Sequence, residues 1–322
     1  MTKTRKITYI VLLFVVAALL VVGGLYDFVI DDTLYNPNNI IAQIFESIGI
    51  FPPFVAVGAT LATLFFLLNE KKKGYRLKRV LCVAGTALAF LVFGYMMINE
   101  TGLTISWLKY VVGVAAAAAF TPLTLYIISR VPDETRRKLF VFLLFATIVC
   151  IVANLILVNV LKFIWSRPRY REMAATGDFD IYSPWYVINS FSMHGHHSFP
   201  SGHTASAGAL FVLCALGEVF PAYKDREKVT AFIAALYTVT MAYSRIVLGA
   251  HFLSDVTAGF AVAFVTYAVT RYLYFKFMPV EEILSGGKTE ECSDTVEVAE
   301  EIPEEKSESG EEDIPEESGS AE

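Results

Sequence analysis

Residues 141–170 read VFLLFATIVCIVANLILVNVLKFIWSRPRY. No residue from 141 to 161 is charged, and then Lys162, Arg167 and Arg169 follow in quick succession. A membrane-crossing helix needs about 20 predominantly apolar residues, so this stretch has the length of a span. Its apolar residues are continuous rather than alternating, which selects a helix over a barrel strand. The cations at its end raise the second question, because charge at membrane depth is costly and usually functional.

Working outward, comparable apolar runs occupy roughly 7–30, 51–69, 80–98, 110–130, 139–161, 204–220, 229–248 and 252–275. The expected fold is therefore all-α, a polytopic membrane bundle of about eight spans. Composition agrees: 55% of residues are hydrophobic and only 18% charged, with mean hydropathy +0.52. Soluble domains carry about 25% charged residues. The first run follows Lys3, Arg5 and Lys6, as a signal peptide would. Its apolar core is too long for one and lacks a clear small-residue cleavage site, so it reads as an uncleaved span.

Between the first two spans, Ile40, Ile41, Ile44, Phe45 and Ile48 recur at helical spacing before Pro52 and Pro53. They predict a short interfacial helix over 40–50. Beyond position 280 there are 17 acidic and 2 basic residues, a deficit of 15 that turns the overall charge of −6 into +9 for the rest of the chain. That segment repeats EIPEE (301–305) and DIPEE (313–317) and predicts a disordered acidic tail. The expected organisation is two leading spans with the interfacial helix over 1–79, a six-span core over 80–277, and the tail over 278–322. Cys82, Cys150 and Cys214 fall within spans and Cys292 in the tail, so no disulfide is expected.

Loop charges set the orientation. Lys71, Lys72, Lys73, Arg76, Lys78 and Arg79, then Arg130, Arg136, Arg137 and Lys138, then Lys224, Arg226 and Lys228 share one side. The positive-inside rule makes that side cytoplasmic, with both termini on it. All five histidines, and Trp107, Trp165 and Trp185, fall on the opposite side. Three polar segments converge there: KFIWSRPRY (162–170), PSGH (200–203) and SRIVLGAHFLSD (244–255).

Lys162, Arg169 and Arg245 could surround an anion, since guanidinium binds phosphoryl oxygens bidentately. Ser201 and Gly202 at a helix start add a hydroxyl and backbone N–H groups. His251 and Asp255 are four residues apart, close enough on a helix for the carboxylate to hold one imidazole nitrogen and leave the other as base or nucleophile. His203 is a second imidazole, available to protonate a leaving oxygen. Simpler roles exist for each: a helix cap for His203, a structural pair for His251 and Asp255, and snorkelling for Lys162, Glu218 and Arg271. Arg167 and Arg171 read as headgroup contacts or as idle, Asp178 and Asp180 as solvated, and His194, His196 and His197 as a polar lid loop in preference to a metal site.

Together the three segments resemble the type 2 phosphatidic acid phosphatase superfamily, whose pattern is K-x6-RP, then PSGH, then SR-x5-H-x3-D. Lys162 and Arg169 match the first part, Pro200 to His203 the second, and Ser244, Arg245, His251 and Asp255 the third. One position departs: Tyr170 stands where the pattern has proline, while Arg167-Pro168 lies two residues earlier. Spacing from Lys162 favours Arg169, but either arginine could grip phosphate. The resemblance covers about 80–275, a six-helix catalytic core.

The resemblance implies a membrane phosphatase acting on lipid phosphate monoesters or diphosphates, such as phosphatidic acid, phosphatidylglycerophosphate or undecaprenyl diphosphate. His251 would be the nucleophile forming a phosphohistidine, Asp255 its orienting partner and His203 the general acid. Lys162, Arg169, Ser201, Gly202 and Arg245 would bind the phosphate. No metal, cofactor or nucleic-acid partner is implied, only the bilayer and its lipid phosphate. The competing readings are an anion-binding membrane protein or transporter without turnover, and a vanadate-dependent haloperoxidase-like enzyme.

The topology is testable by labelling. Cysteines introduced at Asn99 and Ser307 should react oppositely with an impermeant thiol reagent on intact cells. Labelling of the Ser307 position from outside would invert the arrangement.

Overall fold

The structure, a computed structural model, describes residues 3–100, 105–189, 191 and 196–278. The acidic tail and His194 lie outside the described residues. Among the described residues all regular structure is helical, and eight segments are long and apolar enough to cross a membrane. The chain is a multi-pass membrane bundle, as its apolar runs require.

Helix α1 (Lys3–Leu34) is the first span. A Pro37–Asn39 turn follows, and the Asn39 side chain caps α2 (Ile40–Ile48) by accepting from the Ala42 N–H at 3.0 Å. This is the short helix expected over 40–50. Pro52 and Pro53 then open α3 (Phe51–Leu67), where a missing N–H costs nothing. Next come α4 (Tyr75–Glu100) and α5 (Leu108–Ser129), packed side by side, with α3 lying between α4 and α6 (Asp133–Cys150). Helix α6 continues through a π-helical stretch, Ile151–Leu157, into α7 (Val158–Trp165), and the three pieces make one span. Ser166, at φ 43°, ends it in the left-handed region.

After the short α8 (Tyr170–Thr176) comes a long loop, then α9 (Gly202–Gly208) and a 3-10 continuation into α10 (Leu216–Val219). Helices α11 (Glu227–Val247) and α12 (Leu253–Phe277) complete the bundle.

The sixth and eighth spans form the centre. Of their most apolar windows 67% and 56% is buried, against 11% for the first span, whose Ile10, Phe14 and Leu25 face outward. The main core joins Val141, Phe145 and Val149 of α6 to Phe211, Val212, Phe264 and Tyr267. Yet α1 is not a loose appendage, because it runs along α12 and places Tyr9 edge-on to Phe264 at 5.2 Å.

At the end of the bundle where α12 finishes, Glu218 and Arg271 do not snorkel singly. Arg271, 7% exposed, bridges Glu218 at 2.6 Å and Glu227 at 3.0 Å, and Arg5 reaches the same two carboxylates. Pairing wins because a lone guanidinium beside the core would leave its charge uncompensated.

At the other end, α9 and α12 approach so closely that a Cβ on Gly259 would lie 2.3 Å from the Ser201 carbonyl oxygen. The same contact carries a hydrogen bond from the Ser201 N–H to the Asp255 carbonyl, 2.9 Å. Gly259→Ala should therefore push the PSGH turn off α12. Overpacking of this kind costs about 1–3 kcal/mol. The expected result is a lower melting temperature in detergent together with weakened anion binding, and an unchanged melting curve would show that the helices part freely.

Candidate active site

Three chain segments meet at the α9 end of the bundle. The first leaves α7. Lys162 lies in its last turn, and its Nζ is 3.8 Å from where a Gly202 Cβ would be. Arg167 follows and is fully buried. Its Nη1 donates to Asp255 Oδ1 at 2.6 Å and to Ser254 Oγ at 2.8 Å, its Nη2 to Asp27 Oδ2 at 3.0 Å, and its Nε to the Ser183 carbonyl at 2.8 Å. The Phe252 ring covers the guanidinium, with its centroid 4.2 Å away. With its donors committed, Arg167 is neither a headgroup contact nor a phosphate ligand but the central strut.

Arg169 takes no part in that buried network. It precedes α8, is about a quarter exposed, and lines a cavity of about 880 Å³ with Arg171, Glu46 and Gln43. Tyr170, standing where the motif has proline, opens α8 and donates its hydroxyl to Asp32 of α1 at 2.7 Å. The aromatic thus replaces a rigid ring with a tie to the first span.

The second segment is Ser198–His203. Ser201 caps α9, its Oγ accepting from the Thr204 N–H at 3.3 Å and from the Thr204 hydroxyl at 3.1 Å. His203 is 8% exposed, and its Nε2 is 3.0 Å from the backbone carbonyl of Glu46. A carbonyl only accepts, so Nε2 carries the proton.

The third segment holds Arg245, in the last turn of α11, and His251, in the loop before α12. Both are buried. The structure corrects the expected direct hold of Asp255 on His251. His251 Nδ1 is 2.6 Å from the Ser198 carbonyl and 3.9 Å from Asp255 Oδ2. Residues 251 and 255 do not share a helix, because α12 starts only at Leu253, so the i,i+4 geometry fails. Asp255 Oδ2 accepts instead from the Ser198 hydroxyl at 2.5 Å and the Phe252 N–H at 2.8 Å. The carboxylate therefore steadies the imidazole through Ser198.

The Ser198 carbonyl fixes the tautomer: Nδ1 bears the proton and Nε2 keeps its lone pair. Burial first, then the charges of Arg245, Arg169 and Lys162 and the His203 imidazole, hold His251 well below the usual histidine range. At neutral pH it is an uncharged base beside three cations.

All eight residues expected at the site lie in or against this cluster. Sequence reasoning missed four others. Asp27 of α1, fully buried, accepts from Arg167 and from both the N–H (3.0 Å) and the hydroxyl of Ser254. Glu46 of α2 contacts Arg171 and Arg245. Ser198 and Ser254 complete the set. In the HGHH loop, His196 pairs with Glu172 at 2.7 Å. Among the described residues no His, Cys, Asp and Glu group is arranged to hold a metal.

Residues 143–279 match the PAP2 superfamily. That is narrower than the 80–275 the motifs implied, and it leaves α1 to α5 outside. Over 111 residues the chain is 35% identical to a lipid A 1-phosphatase of Rhizobium johnstonii, covering 34% of this chain and 39% of that one. A Rhizobium etli lipid A 1-phosphatase is 37% identical over 112 residues, 34% of this chain and 41% of the relative. Phosphatidylglycerophosphatase B of Bacillus subtilis is 32% identical over 76 residues, 23% and 37% of the two chains. The chain thus spans less than half the length of these relatives. No solved structure matches it.

The two neighbouring arginines should separate cleanly on mutation. Arg167→Met strands two buried carboxylates and should cost about 3–5 kcal/mol of stability, read from denaturation in detergent. Arg169→Ala should leave the melting curve nearly unchanged while vanadate affinity falls about tenfold or more. Reversal of those two outcomes would favour Arg167 as the anion contact.

Proposed function

We propose that this chain, which belongs to the PAP2 superfamily over residues 143–279, is an integral membrane phosphatase that hydrolyses lipid phosphate monoesters or diphosphates. The observation that carries the reading is His251. It is a neutral imidazole with Nδ1–H fixed on the Ser198 carbonyl and a free Nε2 lone pair, set among Arg245, Arg169 and Lys162.

In this reading Nε2 attacks phosphorus and forms an N–P bond as the P–O bond to the lipid breaks. The three cations take up charge on the transferring phosphoryl oxygens, where fixed dipoles and charges act most strongly. His203 gives its proton to the departing alkoxide or phosphate and then takes one from water, which cleaves the phosphohistidine and releases inorganic phosphate. Asp255 holds Ser198, and so His251, in register. This route uses protein groups alone, so no divalent metal is needed.

A lipid substrate is supported by a second cavity of about 380 Å³. Its walls are mainly apolar, with Phe54, Val57, Ile151 and Leu155, and Lys162, Gly202 and His203 also line it. An acyl or isoprenyl chain fits such walls with its phosphate at the polar end. The relatives extend the candidates to lipid A alongside phosphatidic acid, phosphatidylglycerophosphate and undecaprenyl diphosphate. The loop charges support a site on the extracytoplasmic face with both termini in the cytoplasm.

A phosphate-release panel over these lipids, with purified protein in detergent, tests the proposal. Release should survive chelators and be inhibited by vanadate. Binding without release would leave a non-catalytic anion binder, and haloperoxidase-like oxidation of halide would point to the other alternative. His251→Ala should abolish both turnover and trapped phosphoenzyme. His203→Ala should retain more activity on aryl phosphates, whose leaving groups need little protonation, than on lipid monophosphates. A phosphoenzyme persisting in His251→Ala would overturn the assigned nucleophile.

A further inference from the structure

Glu46 lies where no family pattern points, on α2 and outside the matched segment, yet it reaches the centre of the cluster. Its side chain is 7% exposed. Oε1 accepts from Arg171 Nη1 at 2.9 Å and is in ionic contact with Arg245 Nη1, also at 2.9 Å. Arg245 is the most buried of the cations around His251, only 1% exposed. A carboxylate carbon with two oxygens between two guanidiniums is a fair mimic of a bound phosphoryl group. The backbone carbonyl of the same residue holds His203 Nε2 at 3.0 Å.

The geometry points to Glu46 as an internal competitor for the phosphate cradle, carried in by α2 as a gate. This rests on the phosphatase reading above. An incoming phosphate must displace the carboxylate from Arg245. Moving Glu46 out also withdraws its carbonyl from His203, so the general acid is released when the anion site fills. The hinges are at hand: the Pro37–Asn39 turn precedes α2, and the Gly49–Ile50 break separates it from α3.

Displacement costs every ligand the same, so Glu46 sets a threshold rather than a ratio. Membrane surfaces are crowded with phosphodiester headgroups carrying one negative charge. A terminal phosphate carries close to two at neutral pH. Against the same competitor the dianion gains more Coulomb energy from the cradle and crosses the threshold, while the diester does not. Glu46 thereby weakens every anion alike, leaving the cradle filled by the more tightly held terminal phosphate and largely empty of bulk phospholipid.

The test measures binding without turnover, on the full chain in detergent, as melting-temperature titrations with inorganic phosphate and with diethyl phosphate. Glu46→Gln should tighten both by about tenfold, the scale of one charge-assisted contact. Glu46→Asp, which keeps the charge but shortens the reach, should tighten them less, and it decides the matter if the glutamine variant does not fold. Phosphate binding in the folded variant that is equal to or weaker than wild type would overturn the inference and make Glu46 part of the cradle itself. A wild type that binds phosphate but releases none from any lipid would refute the phosphatase reading and leave the gate standing.

Discussion

The structure hangs on one buried guanidinium. Arg167 sits between Asp27 and Asp255 with no solvent contact and an aromatic ring over its face. In an apolar bundle each of these charges alone would be prohibitive, and together they are tolerable only with every donor matched. That demand draws α1, the segment leaving α7, the 182–184 loop and the start of α12 to one point. The positions of Ser198 and His251 follow from it, since Asp255 spends one oxygen on Arg167 and the other on the Ser198 hydroxyl. Reactive geometry here is a by-product of satisfying buried charge.

A division of labour among the cations results. Arg167 is structural because its partners are acidic and permanent. Arg245, Arg169 and Lys162 lie around His251, and Glu46 sits against Arg245 while Glu172 lies near Arg169. Two neighbouring arginines of one segment thus differ in surroundings: Arg167 is fully enclosed by acids, and Arg169, extended at the start of α8, stays about a quarter exposed.

Much of this was legible in the chain. The spans were readable because hydrocarbon thickness fixes their length, and the cluster because cations and histidines at one level of a bundle have few uses. Asp27 was overlooked because it is a single acid at the end of an apolar run, and its partner is 140 residues away. The rule that acids at membrane depth mark function would have flagged it, along with Asp31. Glu46 was hidden by its neighbours, since Ile44, Phe45 and Ile48 made α2 look like a surface helix. Ser198 acts on His251 through its carbonyl, a group every residue has, so no side-chain pattern could reveal it.

The distance between Asp27 and Arg167 also has a consequence for biogenesis. Ribosomes add about 5–20 residues per second, so Asp27 waits on the order of ten seconds before Arg167 is even made. Ser254 and Asp255 come later still. During that interval the first span must enter the membrane with an acid that has no cation to meet. Until then that carboxyl must carry a proton or be sheltered by other groups, because an unpaired buried charge is costly. The ion pairs that tie the first span to the last therefore close only after the C-terminal spans have been translated.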